Sequence, residues 1–482
     1  MTTKQASLVS VIGTAAVLLA APAAAQVGFI DTNGNGFLPL NGPIVLNQAL
    51  PPGQNIAGIV QLAPNPLATV TQNGFYNRTA IIQVDGTNTA NITQFGDFSH
   101  AFIIQVGPTN NAAIAQTGNN ASAFAIQLAA SPITALGTGY LQRVAANLLF
   151  APETAAALPT MAQLSAQDFS RDLLSQLGTG RGQACIDQPP PARAPLITKA
   201  VPAAVAPPCK VALFVQGNYH HGDHADAFGS TGYSYDSGGV LAGAKFYLTP
   251  ELAMGPTAGY TRTAASFKQG LGSTDLDSYH FGGFLAYDTR SWFVHAMAAY
   301  GWNGYNISRT GFAAPITPKT NGQSAVAAIK AAYLFDLGMV KVGPLGGYTY
   351  SQSHVSDYAE NGDPFLTQTV GSQSLRSSVV SGGVRFEPGV AAFGPKTTGY
   401  LDVTVEKNLI STTRVVQTTF TLAPGVPVFT PVRPFDDTYV RIAGGIGYDL
   451  AANTRLTVSA DGVVADRGTR SVGVNAGIRF GF

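Results

Sequence analysis

Asp97, Ser99 and His100 supply the three residue types of a nucleophilic triad: a serine to attack, an imidazole to take its proton, a carboxylate to orient the ring. They sit in a stretch that alternates like a strand, where neighbours point to opposite faces, so Ser99 cannot reach His100. No hydrolytic site is expected there. His220, His221, Asp223 and His224 offer imidazole and carboxylate ligands to a metal. They fall where the pattern places the first loop of the C-terminal half, in which polar residues are expected anyway, and no metal is assigned to them. Cys185 and Cys209 flank a proline-rich run. In an exported chain such a pair is expected as a disulfide, and no further ligands stand at zinc-site spacing. The sequence therefore predicts no catalytic residue, no cofactor and no metal: not an enzyme.

The chemistry that does recur is that of a side-chain amide. Gln61, Gln72, Gln83, Gln94, Gln105, Gln116 and Gln127 follow one another at a spacing of eleven residues. A fixed period marks stacked structural repeats. Two before each glutamine come Ile59, Val70, Ile81, Ile92, Ile103, Ile114 and Ala125, and four before it mostly alanine. Residues two apart share one face of a strand, so each unit is one short strand with amide, branched and small side chains on one side. Gly74, Gly96, Gly107 and Gly118 stand two past a glutamine, where a tight turn needs positive φ. Stacked at roughly 4.8 Å, the glutamines are placed to form hydrogen-bonded ladders.

The residues that face away from the ladder double the period. Val60, Ile82, Ile104 and Ile126 alternate with Thr71, Thr93 and Ala115, and Phe102 and Phe124 with Asn91 and Ala113. The repeat is then twenty-two residues, two unlike strands per coil, with one outer sheet apolar and the other polar. The exposed apolar sheet, Val60, Ile82, Phe102, Ile104, Phe124 and Ile126, is expected to find a cover: capping or stalk residues, a second solenoid, or a bound surface.

These units sit in a chain of 482 residues whose first 25 read as a secretory signal, with Lys4, an apolar run from Leu8 to Ala20, and Ala23-Ala24-Ala25 before Gln26. Removing it leaves 26 basic against 26 acidic residues. A neutral chain with 54 glycines and 11% charged residues is not a nucleic-acid binder. No later stretch is apolar enough for a membrane helix, which leaves a β-barrel open.

From Lys210 onward, long alternating segments follow one another. In the last, Val472, Val474, Ala476, Ile478, Phe480 and Phe482 oppose Ser471, Gly473, Asn475, Gly477, Arg479 and Gly481. An apolar face toward lipid and a small or polar face toward a wet lumen are what a transmembrane barrel requires. Strands are expected near 211-220, 232-247, 251-266, 275-288, 291-307, 323-335, 339-355, 371-387, 397-410, 435-449, 454-465 and 470-482. Twelve is an even number, which puts both barrel ends on the periplasmic side. Residues 411-433 then read as a long external loop or hairpin. Leu164, Phe169, Leu173, Leu174 and Leu177 recur at helical spacing, with Ser165 as a candidate cap.

Residues 210-482 resemble the translocator β-domain of autotransporters (type V secretion). The likeness is carried by Ala212-Leu-Phe-Val-Gln-Gly217, by Tyr233 to Lys245, by Ser278-Tyr-His-Phe-Gly-Gly-Phe284 and by the last three strands. Leu158-Pro-Thr-Met-Ala-Gln-Leu-Ser165 is similar to the segment ahead of such barrels. The resemblance implies a barrel anchored in the outer membrane of a Gram-negative-type cell, with the upstream passenger on the surface. It implies that Phe480 and Phe482 form a signal for the barrel-assembly machinery, and that a helix fills the pore. The segment 162-178 is the expected plug, with a stalk helix, or a pore threaded by the proline run 188-208, as the alternatives. Gln105-Val-Gly107-Pro-Thr-Asn110-Asn-Ala112-Ala-Ile-Ala-Gln116 resembles the curlin repeat. Other copies depart from it at Pro66, Asp85 and Ala121.

The expected fold is all-β: a 12-stranded transmembrane β-barrel with an internal α-helix, preceded by a short β-solenoid of 11/22-residue repeats. Its expected parts are a signal peptide (1-25), an N-terminal cap (26-54), the curlin-like passenger (55-130), a linker with the pore helix and Cys loop (131-209) and the barrel (210-482). The expected function is anchoring and display of the solenoid for adhesion, autoaggregation or biofilm formation. Its partners are outer-membrane lipid, the assembly machinery, and itself or a foreign surface. The alternative is a porin or transporter with a decorative N-terminal block.

Overall fold

A computed structural model describes strands between residues 26 and 128, a helix, and residues 210–482 apart from short loop segments. Residues 1–25, 32–43, 49–55, 129–137 and 180–209 lie outside the described residues, and with them the signal, Cys185, Cys209 and the proline run.

The repeats form two stacked sheets. One runs Gln26–Asp31, Ile56–Leu62, Arg78–Val84, His100–Val106, Ser122–Leu128; the other runs Ile44–Gln48, Leu67–Asn73, Thr89–Phe95, Asn111–Thr117. From Ile56 onward, strands twenty-two residues apart pair in parallel, glutamine opposite glutamine: Gln61 with Gln83, Gln72 with Gln94, Gln105 with Gln127. The coil is thus the twenty-two-residue unit. The inward isoleucines and alanines meet between the sheets, and Ile59, Val70, Ile81, Ile92 and Ile103 are buried. Gly74, Gly96 and Gly118 take φ of 116°, 126° and 106°, which a side chain would strain. The stack also starts earlier than 55. Ile44–Gln48 continues the second sheet with Gln48 opposite Gln72, a copy that eleven-residue counting misses because Gln48 stands thirteen before Gln61. Gln26–Asp31 pairs antiparallel with Ile56–Leu62 and closes the other sheet's edge.

The C-terminal half closes into twelve long antiparallel strands, from Val211–His224 to Thr469–Gly481, which pair with each other. All twelve expected segments are present. Closure leaves no backbone edge to lipid. In the last strand Val472, Val474 and Phe480 are exposed on the outer wall, while Gly473, Asn475 and Arg479 are buried inside. The first strand is longer than expected: it runs through His224, and the four candidate metal ligands belong to it, not to a loop. At one end lie the chain terminus and Val211, joined by backbone hydrogen bonds of Phe482 with Lys210 and Val211. At the other, the loop end, Tyr358–Ala359, Gln368–Val370, Arg414–Phe420 and Pro427–Val432 make a small second sheet. The expected hairpin in 411-433 is its last pair. Pro427 and Pro431 sit on its edge strand, where a missing N–H costs no ladder bond.

One helix, Thr138–Thr179, runs through the barrel. It is far longer than 162-178, and Ser165 lies within it, so Ser165 is not its cap. Pro152 and Pro159 read as helix breakers, which hid its first half in the sequence. Leu158 and Met161 lie in the buried cluster at the loop end, and Phe169, Leu173, Leu174 and Leu177 in one at mid-barrel. Its last residue, Thr179, reaches the wall near the terminal end.

Candidate functional site

The glutamines form two ladders, one for each sheet. Gln72 donates to Gln94 at 3.0 Å and Gln94 to Gln116 at 2.7 Å; Gln83 donates to Gln105 and Gln105 to Gln127, both at 2.9 Å. A carboxamide has two N–H donors, and the second is used across the coil. Gln83, Gln105 and Gln127 donate to the carbonyls of Leu67, Thr89 and Asn111. Five of the seven glutamines are buried with these bonds made, as burial of an amide demands; Gln127 is half-buried, and the side chain of Gln61 lies outside the described residues. The turns carry a second ladder, in which Asn77 Oδ1 accepts from the Ser99 amide at 2.9 Å and Asn88 Oδ1 from the Asn110 amide at 3.0 Å.

Ser99 belongs to that turn ladder: its hydroxyl donates to the Gly118 carbonyl at 3.2 Å. The side chains of Asp97 and His100 lie outside the described residues. In the first barrel strand, alternation sends His220 and His224 inward and His221 and Asp223 outward, so the four do not converge. Among the described residues no cluster of His, Cys, Asp and Glu could hold a metal ion.

The lumen is where isolated polar residues come together. Asp172 on the helix accepts from Asn218 at 2.6 Å and lies 3.2 Å from His220 Nε2. Ser165 meets His280, Gln167 donates to Ser351, Ser175 meets Tyr400, and Gln176 accepts from Thr457. These partners come from strands around the circumference, so the helix is held on several sides. Arg385, stacked 4.2 Å from the Tyr400 ring, donates to the Gly178 carbonyl at 3.2 Å, and Thr398 donates to Thr179 at 2.6 Å. They satisfy carbonyls that every helix end leaves orphaned, and the cation opposes the dipole's negative end.

Pro159, midway along the helix, explains the contacts at the loop end. It has no N–H for the Ala155 carbonyl, and its ring pushes that carbonyl away. Gln373 donates to Ala155 at 3.0 Å, Arg414 donates to Ala156, Tyr305 to Leu158 at 3.3 Å and Ser353 to Pro159 at 2.8 Å. The wall supplies what the proline removes. Arg414 comes from the small loop-end sheet, and burial lowers its pKa to about 10, which still leaves it charged at neutral pH. These contacts were not readable in the sequence; the one local signal was a proline inside a run of good helix formers.

Close approach fixes the helix sideways. A Cβ on Gly259 would stand 2.7 Å from the Phe169 ring, which itself stacks on His280 at 4.9 Å. Gly259→Val is therefore expected to displace Phe169 and destabilise the plugged barrel by about 1–3 kcal/mol. Its heat-induced gel-mobility shift should fall in temperature, whereas Gly382→Ala, in open space, should leave it unchanged.

Phe102 belongs to the outward apolar sheet for which a cover is expected. It is wholly buried, in one cluster with Ala155 to Met161 of the helix and Tyr233, Tyr235, Val370, Val416 and Val432 at the loop end. A ring of that size on a sheet face gains most by leaving water, and here the barrel mouth receives it. The side chains of Val60, Ile82, Ile104, Phe124 and Ile126 lie outside the described residues. The opposite sheet keeps Asn91, Asn111, Ala113, Ala115 and Thr117 in solvent. Phe102→Ala is expected to loosen the solenoid from the mouth by about 3–5 kcal/mol without touching the ladders. Amide exchange should then quicken at Ala155–Ala157 and stay slow at Ile92.

An autotransporter β-domain model matches residues 213–461, just over half of the chain, and a curlin associated repeat model matches residues 64–96. No curated protein matches the chain. Among solved structures, the translocator domain of the autotransporter NalP from Neisseria meningitidis is similar at TM-score 0.50 and 14% identity, over 67% of this chain and 98% of that one. The transport unit of the autotransporter AIDA-I from Escherichia coli gives 0.40 and 12%, over 59% and 94%. The toluene transporter TodX from Pseudomonas putida gives 0.35 and 9%, over 57% and 90%. At such identities the likenesses speak for the fold alone. The family match rests on more than half of the sequence, and a closed twelve-stranded barrel around a helix is what it requires: the chain belongs to the autotransporters, outer-membrane proteins, with curlin-type repeats ahead of its barrel.

Proposed function

We propose that the barrel holds the solenoid on the outer surface of the cell, where it mediates adhesion, autoaggregation or biofilm formation. One observation carries this reading. The helix runs from the loop end toward the terminal end, and Phe102 is buried among loop-end residues, so the repeats stand at the end opposite the chain terminus. With an even number of strands and the terminus on the periplasmic side, the loop end faces outward. Phe480 and Phe482 are exposed on the outer wall at the terminal end, and this supports reading them as the signal for the barrel-assembly machinery.

The solenoid's outward-facing features suit contact rather than catalysis. Its polar sheet is free, and its last coil is the least covered, with Ile114 8% exposed against 0% for Ile92. A parallel stack that ends in an in-register amide ladder is a template for another coil. Deleting 55–127 is expected to leave barrel insertion intact and to abolish autoaggregation, surface binding and amyloid-dye binding. Cells carrying the truncated chain that clump and adhere like wild type would refute the adhesive role.

A further inference from the structure

The outer wall of the barrel carries a groove of about 390 Å3 near the loop end, bordered by Tyr279, Trp302, Gly304, Asn321, Gln323 and Ser356. Register explains it. Trp302 pairs with Tyr279 on one side and Gln323 on the other, and Gly304 with Asn321. Trp302 and Tyr279 face outward and are more than half exposed. Gly304 also faces outward, so its missing side chain leaves the floor of the groove open.

The height of this groove in the membrane follows from the chain's two tryptophans. Trp292 and Trp302 lie on one strand, ten residues apart, both exposed on the outer wall. That is about 34 Å along the strand and, at a barrel tilt near 40°, roughly 26 Å along the membrane normal. The apolar band of such barrels is about 25 Å tall between its aromatic girdles. Trp302 therefore sits at the headgroup level of the loop-end leaflet, and Gly304, Asn321 and Ser356 just above it.

The lining selects the headgroup. It holds two aromatic rings, amides and a hydroxyl, and no charged side chain. Rings offer a face to the C–H side of a sugar, and amides can pair with its hydroxyls. A phosphate would find no cation there. We infer that this groove binds the sugar headgroup of a neutral glycolipid in the surrounding leaflet. Only the choice of leaflet rests on the outward orientation proposed above; binding itself does not.

A Cβ on Gly304 would meet a single atom, the Asp277 carbonyl at 4.0 Å, so Gly304→Leu fills the groove without straining the wall. Full-length protein refolded in detergent micelles is offered digalactosyl diacylglycerol or phosphatidylglycerol, and retained lipid is counted by native mass spectrometry. One digalactosyl lipid per barrel is expected, with retention about tenfold above that of phosphatidylglycerol and lost in Gly304→Leu. In Trp292→Phe, which leaves Trp302 as the sole indole, the same lipid should shift the emission saturably, and soluble lactose should not. Equal retention of the two lipids, unchanged retention in Gly304→Leu, or an equal response to lactose would overturn the inference. Because micelles have no sides, failure here would leave surface display untouched.

Discussion

Gln94→Ala is expected to unfold the repeat block and leave the barrel intact. Gln94 is wholly buried in the middle of its ladder, accepting from Gln72 and donating to Gln116. Alanine removes both bonds, strands a buried donor on Gln72 and an acceptor on Gln116, and opens a cavity. The combined cost is about 2–5 kcal/mol. A stack of so few coils is held by nearest-neighbour contacts, so a central break uncouples its two ends. Proteinase K should then degrade the repeats of the full-length protein within minutes, while the barrel keeps its heat-modifiable mobility. Asn91→Ala, on the exposed polar sheet three residues away, should change resistance little, within about 0.5 kcal/mol. Equal resistance of Gln94→Ala and wild type would mean that the ladder does not hold the solenoid together.

Deleting 138–179 is expected to turn a closed barrel into a conducting one. The wall's ladder of strand pairs is complete without the helix, so the barrel should still form. The lumen is then lined by Lys330, Arg385, Asp402, Arg441 and Asp461, a charged surface that water and ions will enter. Planar bilayers should show steady open channels for the deletion and near-background current for the full chain. Burial of Phe169, Leu173, Leu174 and Leu177 is lost as well, at about 1.5–3 kcal/mol each, so the empty barrel should melt at lower temperature. Equal conductance of the two proteins would favour a channel with a decorative N-terminal block over a plugged anchor.

What the sequence displayed was periodicity, because periodicity is local. An eleven-residue count places glutamine against glutamine, and the apolar–polar alternation of the residue before each one gives the twenty-two-residue coil before any partner strand is known. The two-residue phase of Val472 to Phe482 likewise names the lipid face. Where local chemistry is satisfied from afar, the sequence carries no local mark of it. Ala155 has its carbonyl freed by Pro159 and served by Gln373, more than two hundred residues on, so the prolines read as breaks in what is one helix. His220 and His224 looked like loop residues because a polar side chain inside a barrel wall and one in a turn are alike in sequence. Ser165 looked like a cap and is a mid-helix partner of His280. Phe102 was legible as apolar and outward, but its cover, assembled from the helix and four loop segments, was not.

On the proposed reading, the barrel presents the repeats on the outside of the cell. Intact cells producing the full chain, treated with a protease too large to cross the outer membrane, test it directly. An epitope inserted directly after Gly118 should be lost from intact cells while the barrel fragment persists. An epitope that survives on intact cells and disappears only after the outer membrane is permeabilised would place the repeats in the periplasm and refute surface display.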